Sequence, residues 1–207
     1  MPQVSFYFDL GSPYAYLSAE RLGGVFDDPV KWQPVSLGAL FKLSGRSSWA
    51  LGEHRSDGIA EIERRVRDYR LPPIRWPDPW PSNYLMAMRA ATFAFASRRG
   101  HEFTLQAFRD AFQRGRDLSI PANVLDAAEQ VGLDRDAVHA ATEDPLIKRA
   151  LREATDAAHQ MGVVGVPTVV VDEKPFWGDD CLDVAVAHLE ELTASAGPPS
   201  QNRMNEH

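Results

Sequence analysis

The spacing of hydrophobic and polar positions changes character twice along the chain, and the two changes mark its organisation. Residues 4–8 (VSFYF) form a β-branched and aromatic run that Asp9-Leu10-Gly11 breaks. Ser12 and Pro13 then read as the N-cap and first residue of a helix reaching about Leu22. Alternation returns over residues 30–35, where Val30, Trp32 and Pro34 alternate with more polar neighbours, and a short helix is expected over 37–43. The opening is a βαβ unit.

From about residue 44 to 161 the period becomes helical, with segments at 59–69, 84–98, 105–115, 122–131 and 146–161. Matching cap signals are Ser82 or Asn83 before Tyr84, Ser119 before Pro121, and Gly132 just past Val131. Residues 71–81 hold five prolines and two tryptophans, which predicts an ordered non-helical loop. After Gly162 the pattern changes again. Residues 166–171 (VPTVVV) read as a buried strand, Asp172 to Pro175 as a turn, Phe176-Trp177 as a return strand, and 179–193 as a helix. The order βαβ, helical insertion, ββα describes an α/β chain divided at 1–43, 44–161 and 162–193. A tail over 194–207, rich in Gly, Pro, Ser and Asn, is expected to fray.

Composition narrows the functional classes. A chain of 207 residues with 44% hydrophobic residues can bury one sizeable core. Its net charge of −7 offers no broad positive field for nucleic acid or an anionic membrane, so a small molecule is the expected partner. The N-terminal residues lack the form of a secretory signal and no 18 apolar residues run together, which predicts a cytoplasmic protein that does not enter the membrane. The single cysteine, Cys181, excludes an intramolecular disulfide and a CxxC redox pair. The six histidines show no HxxxH or HExxH spacing, so no metal site is expected.

Four features carry candidate chemistry. Ser12 stands at a helix N-terminus directly after a strand, where unpaired backbone N–H groups and the helix dipole favour an anion. Its hydroxyl either caps the helix or donates a hydrogen bond to a thiolate brought in by a cofactor. Val166-Pro167 opens a strand, as an ordinary trans proline or as a cis bond leaving the Val166 backbone free to pair with an extended peptide. Asp179 and Asp180 open the last helix, where carboxylates complement its dipole or hold a ligand ammonium, and Cys181 follows them. The segment 76–84 (WPDPWPSNY) either lines a pocket for a flat apolar substrate or plugs the seam between insertion and sheet. Arg64, Arg65, Arg67 and Arg70 read as a solvated helix face.

Together FYFDLGSPYAYL, GVVGVPTVVVD and FWGDDCLD resemble the 2-hydroxychromene-2-carboxylate isomerases and kappa-class glutathione transferases, a DsbA-like branch of the thioredoxin fold. The resemblance runs from Val4 to about Leu192. It implies a thioredoxin-like (DsbA-like) domain split by a large all-helical insertion, usually as a homodimer, with glutathione as cofactor. It assigns Ser12 to the glutathione sulfur, the Val166 backbone to the cysteinyl unit with Pro167 cis, and Asp180 to the γ-glutamyl end. Two departures stand out. Cys181 occupies the place of the family's arginine, removing a guanidinium that would grip a carboxylate, and Arg46 replaces an asparagine and offers a substitute cation.

For the isomerase reaction the resemblance implies reversible addition of a thiolate to a conjugated aromatic acid, with Lys42, Asn83 or Tyr84 contacting the substrate carboxylate or phenol. A transferase forming stable thioethers and a binding protein without turnover are the alternatives. With serine at 12 and alanine at 15 no dithiol exists, so disulfide exchange is excluded.

Overall fold

The computed structural model describes residues 2–195. Four strands form one mixed sheet in the order β2-β1-β3-β4: β1 (Val4–Phe8), β2 (Lys31–Pro34), β3 (Thr168–Val171) and β4 (Lys174–Trp177). β1 runs parallel to β2, with Phe6 opposite Trp32, and antiparallel to β3, with Phe6 opposite Val169. β3 and β4 form the predicted hairpin. Asp172 and Glu173 at its tip both take positive φ.

The period of two decides what each face of the sheet buries. Val4, Phe6 and Phe8 of β1 and Val169 and Val171 of β3 share one large core with α1 (Pro13–Val25) and helices of the insertion. Phe8 packs on Phe95 and Phe108, at 6.2 and 6.0 Å between ring centroids. Tyr7 and Val170 point the other way, into a smaller core with Val35, Leu40, Ala158 and Val163. Insertion helices thus complete the core of the sheet.

The insertion comprises α3 (Arg55–Asp68), α4 (Leu85–Ala96), α5 (Gly100–Arg114), α6 (Pro121–Gln130), α7 (Arg135–Glu143) and α8 (Pro145–Gln160), preceded by α2 (Leu37–Leu43). α4, rich in alanine and almost wholly apolar, lies at its centre against α5, α6, α7 and α8. Five of the six helices match predicted segments. α7 was not predicted, because only Val138, Ala141 and Thr142 of its nine residues are buried and its apolar stripe is short; Asp134 caps it by accepting from the Ala137 N–H at 2.8 Å.

Several boundaries differ from expectation. α3 begins at Arg55, four residues before the first periodic apolar position. Ile120, and not Ser119, occupies the N-cap of α6, while the Ser119 hydroxyl donates to Asp117. Gly132 does take the left-handed conformation expected past a helix end, with φ 78°. The last helix starts with a separate 3-10 turn, Asp179–Cys181, and continues as α9 (Leu182–Ser195). The predicted tail lies outside the described residues from 196 onward.

Candidate active site

A cavity of about 640 Å³ opens where the sheet's two halves meet the insertion. Its floor is the turn after β1. Ser12 caps α1, its Oγ accepting from the Ala15 N–H at 3.2 Å and donating to the Val166 carbonyl at 3.4 Å. The predicted cap is therefore real, and the same hydroxyl faces the cavity beside the strand that brings Val166 and Pro167. The Val166-Pro167 bond is cis. Gly11 has no room for a side chain: a Cβ there would lie 2.3 Å from the ring of Tyr84.

Asp9 lies beneath this floor. One carboxylate oxygen accepts from the Gly11 N–H and the other from the Leu37 N–H, both at 2.8 Å. Burial pushes its carboxyl up to about 6, against the pull of those two N–H groups.

One end of the cavity is ionic. Gly178, at φ 112°, a conformation open to glycine, turns the chain from β4 into Asp179 and Asp180. Its N–H donates to the Pro167 carbonyl at 2.9 Å, tying this turn to the proline loop. Asp179 is buried and accepts from Arg65 at 2.5 Å and from the Tyr69 hydroxyl at 2.8 Å. Burial raises the Asp179 carboxyl, opposed by Tyr69 and Arg65. Arg65 also donates to Asp180 at 3.3 Å and to Glu61 at 2.7 Å. Asp180 remains largely solvent-facing, its side chain 61% exposed.

The other end is aromatic. Tyr14, Phe41, Trp49, Leu51 and Trp80 line it. Trp49 and Trp80 lie 5.5 Å apart between ring centroids, and Trp76 backs Trp80 at 4.7 Å. Trp80 Nε1 donates to the Gly11 carbonyl at 3.2 Å, so this wall is pinned to the floor beside Ser12. Within the Trp-rich loop, Trp80 lines the cavity and Trp76 packs against Phe112.

The structure brings together Ser12, Val166, Pro167 and Asp180 among the expected site residues. Arg46 sits at the rim, its guanidinium 4.4 Å over the ring of Trp177, which lines the cavity. Cys181 lies just behind, its thiol donating to the Trp177 carbonyl at 3.1 Å. Burial, then Asp180, raises the Cys181 thiol.

Three expected substrate contacts are placed elsewhere. Lys42 is exposed on α2 outside the lining, and Asn83 is exposed with its side chain capping the Leu85 N–H at 3.0 Å. Tyr84 is buried behind Gly11, its hydroxyl without a hydrogen-bond partner among the described residues and its phenol pushed up to about 12 by burial and Asp117.

Arg65 corrects the reading of the 64–70 arginines as a solvated face: its side chain is 17% exposed and lines the cavity. Its position at i+3 from Ile62, on the buried side of α3, was the available signal. Trp49 and Leu51, on a 3-10 turn (Trp49–Leu51) without periodic pattern, gave none.

A family model described as the DSBA-like thioredoxin domain matches residues 3–190. The chain is similar to a 2-hydroxychromene-2-carboxylate isomerase of Sphingobium xenophagum, 28% identical over 196 residues, covering 90% of this chain and 97% of that protein. It is also similar to human glutathione S-transferase kappa 1, 26% identical, with 96% of each chain covered. Among solved structures it matches a 2-hydroxychromene-2-carboxylate isomerase with a TM-score of 0.78 and 22% identity, over 94% of this chain and 99% of the other. Among the described residues no helix is long and apolar enough to cross a membrane, and no cluster of His, Cys, Asp or Glu is arranged to hold a metal ion.

Proposed function

The chain belongs to the family of DSBA-like thioredoxin domains, and from that premise we propose that it is a glutathione-dependent isomerase of the 2-hydroxychromene-2-carboxylate type, acting on an aromatic or conjugated carboxylic acid. The observation that carries this reading is a single cavity with Ser12 at a helix N-terminus on its floor, an ionic end, and an aromatic end. Glutathione fits the first two. The α1 N-terminus and the Ser12 hydroxyl are suited to a sulfur anion. The Val166 N–H donates to no other backbone group among the described residues, leaving it for an extended peptide.

The ionic end also answers the arginine absent at 181. Arg65 delivers a guanidinium to the same turn from α3 of the insertion, beside the exposed Asp180 carboxylate. A guanidinium and a carboxylate side by side suit the paired charges of an α-amino acid head such as the γ-glutamyl group. Arg65, more than Arg46 or Cys181, is then the residue that reads that group.

When bound, glutathione supplies a thiol that adds reversibly to a conjugated acid. The protein's part is to hold the sulfur as its anion through Ser12 and the α1 N-terminus, and to stack the substrate's flat face on Trp49 and Trp80. The reading includes a cytoplasmic homodimer, checked by sedimentation of the purified protein. A second reading, favoured by the kappa-class relative, is a transferase releasing a thioether.

The test is incubation with 2-hydroxychromene-2-carboxylate with and without reduced glutathione, products separated by chromatography. Glutathione-dependent isomer formation supports the isomerase, accumulation of a thioether the transferase, and an unchanged substrate contradicts both for this acid.

A further inference from the structure

The hydrogen bonds beneath Ser12 reach beyond this assignment. We propose that Asp9 is a positioning residue of the site, whose carboxylate clasps the turn carrying Ser12 to the first turn of α2 and holds both at full strength only while ionised. This rests on reading the cavity as the functional site, though not on glutathione as its occupant. Asp9 is 6% exposed, and its two oxygens accept one N–H each, from Gly11 and from Leu37, at 2.8 Å. It makes no ion pair among the described residues.

Both clasped segments line the cavity, Gly11 and Ser12 on one side and Leu37, Gly38 and Phe41 on the other. The start of α2 has its own supports: the Ser36 hydroxyl caps it at Ala39, and the Ser36 N–H donates to Thr155 of α8 at 3.0 Å. What Asp9 adds is the link from α2 to the floor.

A proton on either oxygen makes that oxygen a neutral and much poorer acceptor, so one of the two charge-assisted bonds weakens. With the carboxyl pushed up to about 6 by burial, the change falls in the mildly acidic range. The groups around it leave this assignment intact. Tyr84, from the start of α4, couples to Asp9 but stays neutral, being pushed up to about 12. Burial likewise keeps Tyr7 of β1 neutral. On α1, Glu20 and Arg21 are engaged with Arg109 and with the Asp179 carbonyl. Lys42 on α2 faces solvent. α8, packed on α2, carries Arg152, Glu153, Asp156 and His159 in its second half.

The test uses the unliganded, isotope-labelled full chain. The amide resonances of Gly11 and Leu37 and the Asp9 carboxyl carbon are followed between about pH 4 and pH 8, in the wild type and in Asp9→Asn. The clasp predicts one shared midpoint near 6 for all three signals, and amides that no longer titrate in Asp9→Asn. Amides that stay flat in the wild type, or that titrate unchanged in the variant, overturn it. If Asp9→Asn does not fold, a carboxyl carbon whose midpoint differs from that of the two amides overturns it equally. In parallel, glutathione affinity is expected to be about tenfold weaker below the midpoint, the loss of one such hydrogen bond. If the amides titrate together and glutathione binds at no pH, the clasp stands and the glutathione reading falls.

Discussion

The two ends of the cavity are built differently. At the ionic end Ser12 is fixed by the α1 N-terminus and Val166, the Asp179 turn by Pro167, and Arg65 by three carboxylates of which Asp179 is buried. At the aromatic end the walls include Trp49 and Trp80, rings tilted against each other from loops at 47–51 and 80–82, with Trp80 bonded to the floor. Hydrogen bonds and ion pairs demand one ligand geometry, whereas aromatic ring faces accept any flat apolar face. The ionic end is thus suited to a fixed cofactor and the aromatic end to a variable substrate.

Substitutions should separate the two ends. The largest effect is expected for Ser12→Ala, which removes the hydroxyl proposed to hold the glutathione sulfur. Glutathione-dependent turnover should fall by about a hundredfold or more, with only about 1 kcal/mol lost in thermal unfolding from the missing cap. Next comes Arg65→Ala, which strands the buried Asp179 carboxylate. A stability loss of about 3 kcal/mol is expected by chemical denaturation, with weakened glutathione binding in calorimetry. Arg65→Lys should recover the stability more than the binding, because an ammonium lacks the fork.

At the opposite end Trp80→Ala should raise KM for an aromatic substrate by roughly tenfold while leaving glutathione affinity nearly unchanged. Loss of both together would dissolve the division between the ends. Lys42→Ala and Asn83→Ala, outside the lining, should change kcat/KM less than about twofold.

Stability and site geometry pull oppositely at Asp9. Its folded carboxyl titrates at about 6, above the ordinary 3.8, so the folded state holds that proton more tightly than the unfolded chain. The contribution is fully present below about pH 4 and is lost as pH rises through about 6, a difference of roughly 3 kcal/mol. Denaturation measured on both sides of that window should show the wild type losing this increment with rising pH, and Asp9→Asn not losing it. The ionised clasp therefore costs stability at neutral pH, as constrained groups at functional sites commonly do.

The same division explains what the sequence could convey. The segments around Ser12, Val166 and Asp180 each follow a strand or open a helix, where period, Pro and Gly announce local structure, and all three do line the cavity. Their relation through the sheet followed from the βαβ and ββα order. The aromatic wall comes from irregular loops, so Trp49 and Leu51 carried no pattern, and Trp80 was equally readable as wall or seam filler. Arg65 was obscured by its arginine neighbours, and the assignments of Asn83 and Tyr84 came from resemblance, which does not fix which way a side chain points at a helix start. Asp9 looked like a strand terminator. Its partner Leu37 lies 28 residues on, beyond the reach of any local signal.

The central claim is that Ser12 holds a glutathione sulfur as its anion. The most direct test is calorimetric titration of the purified protein with reduced glutathione while thiolate absorbance in the ultraviolet is recorded, for the wild type and Ser12→Ala. The account predicts saturable binding with a thiolate band that disappears in Ser12→Ala while the protein remains folded. Binding with an unchanged band in the variant, or no binding at millimolar glutathione, would contradict it.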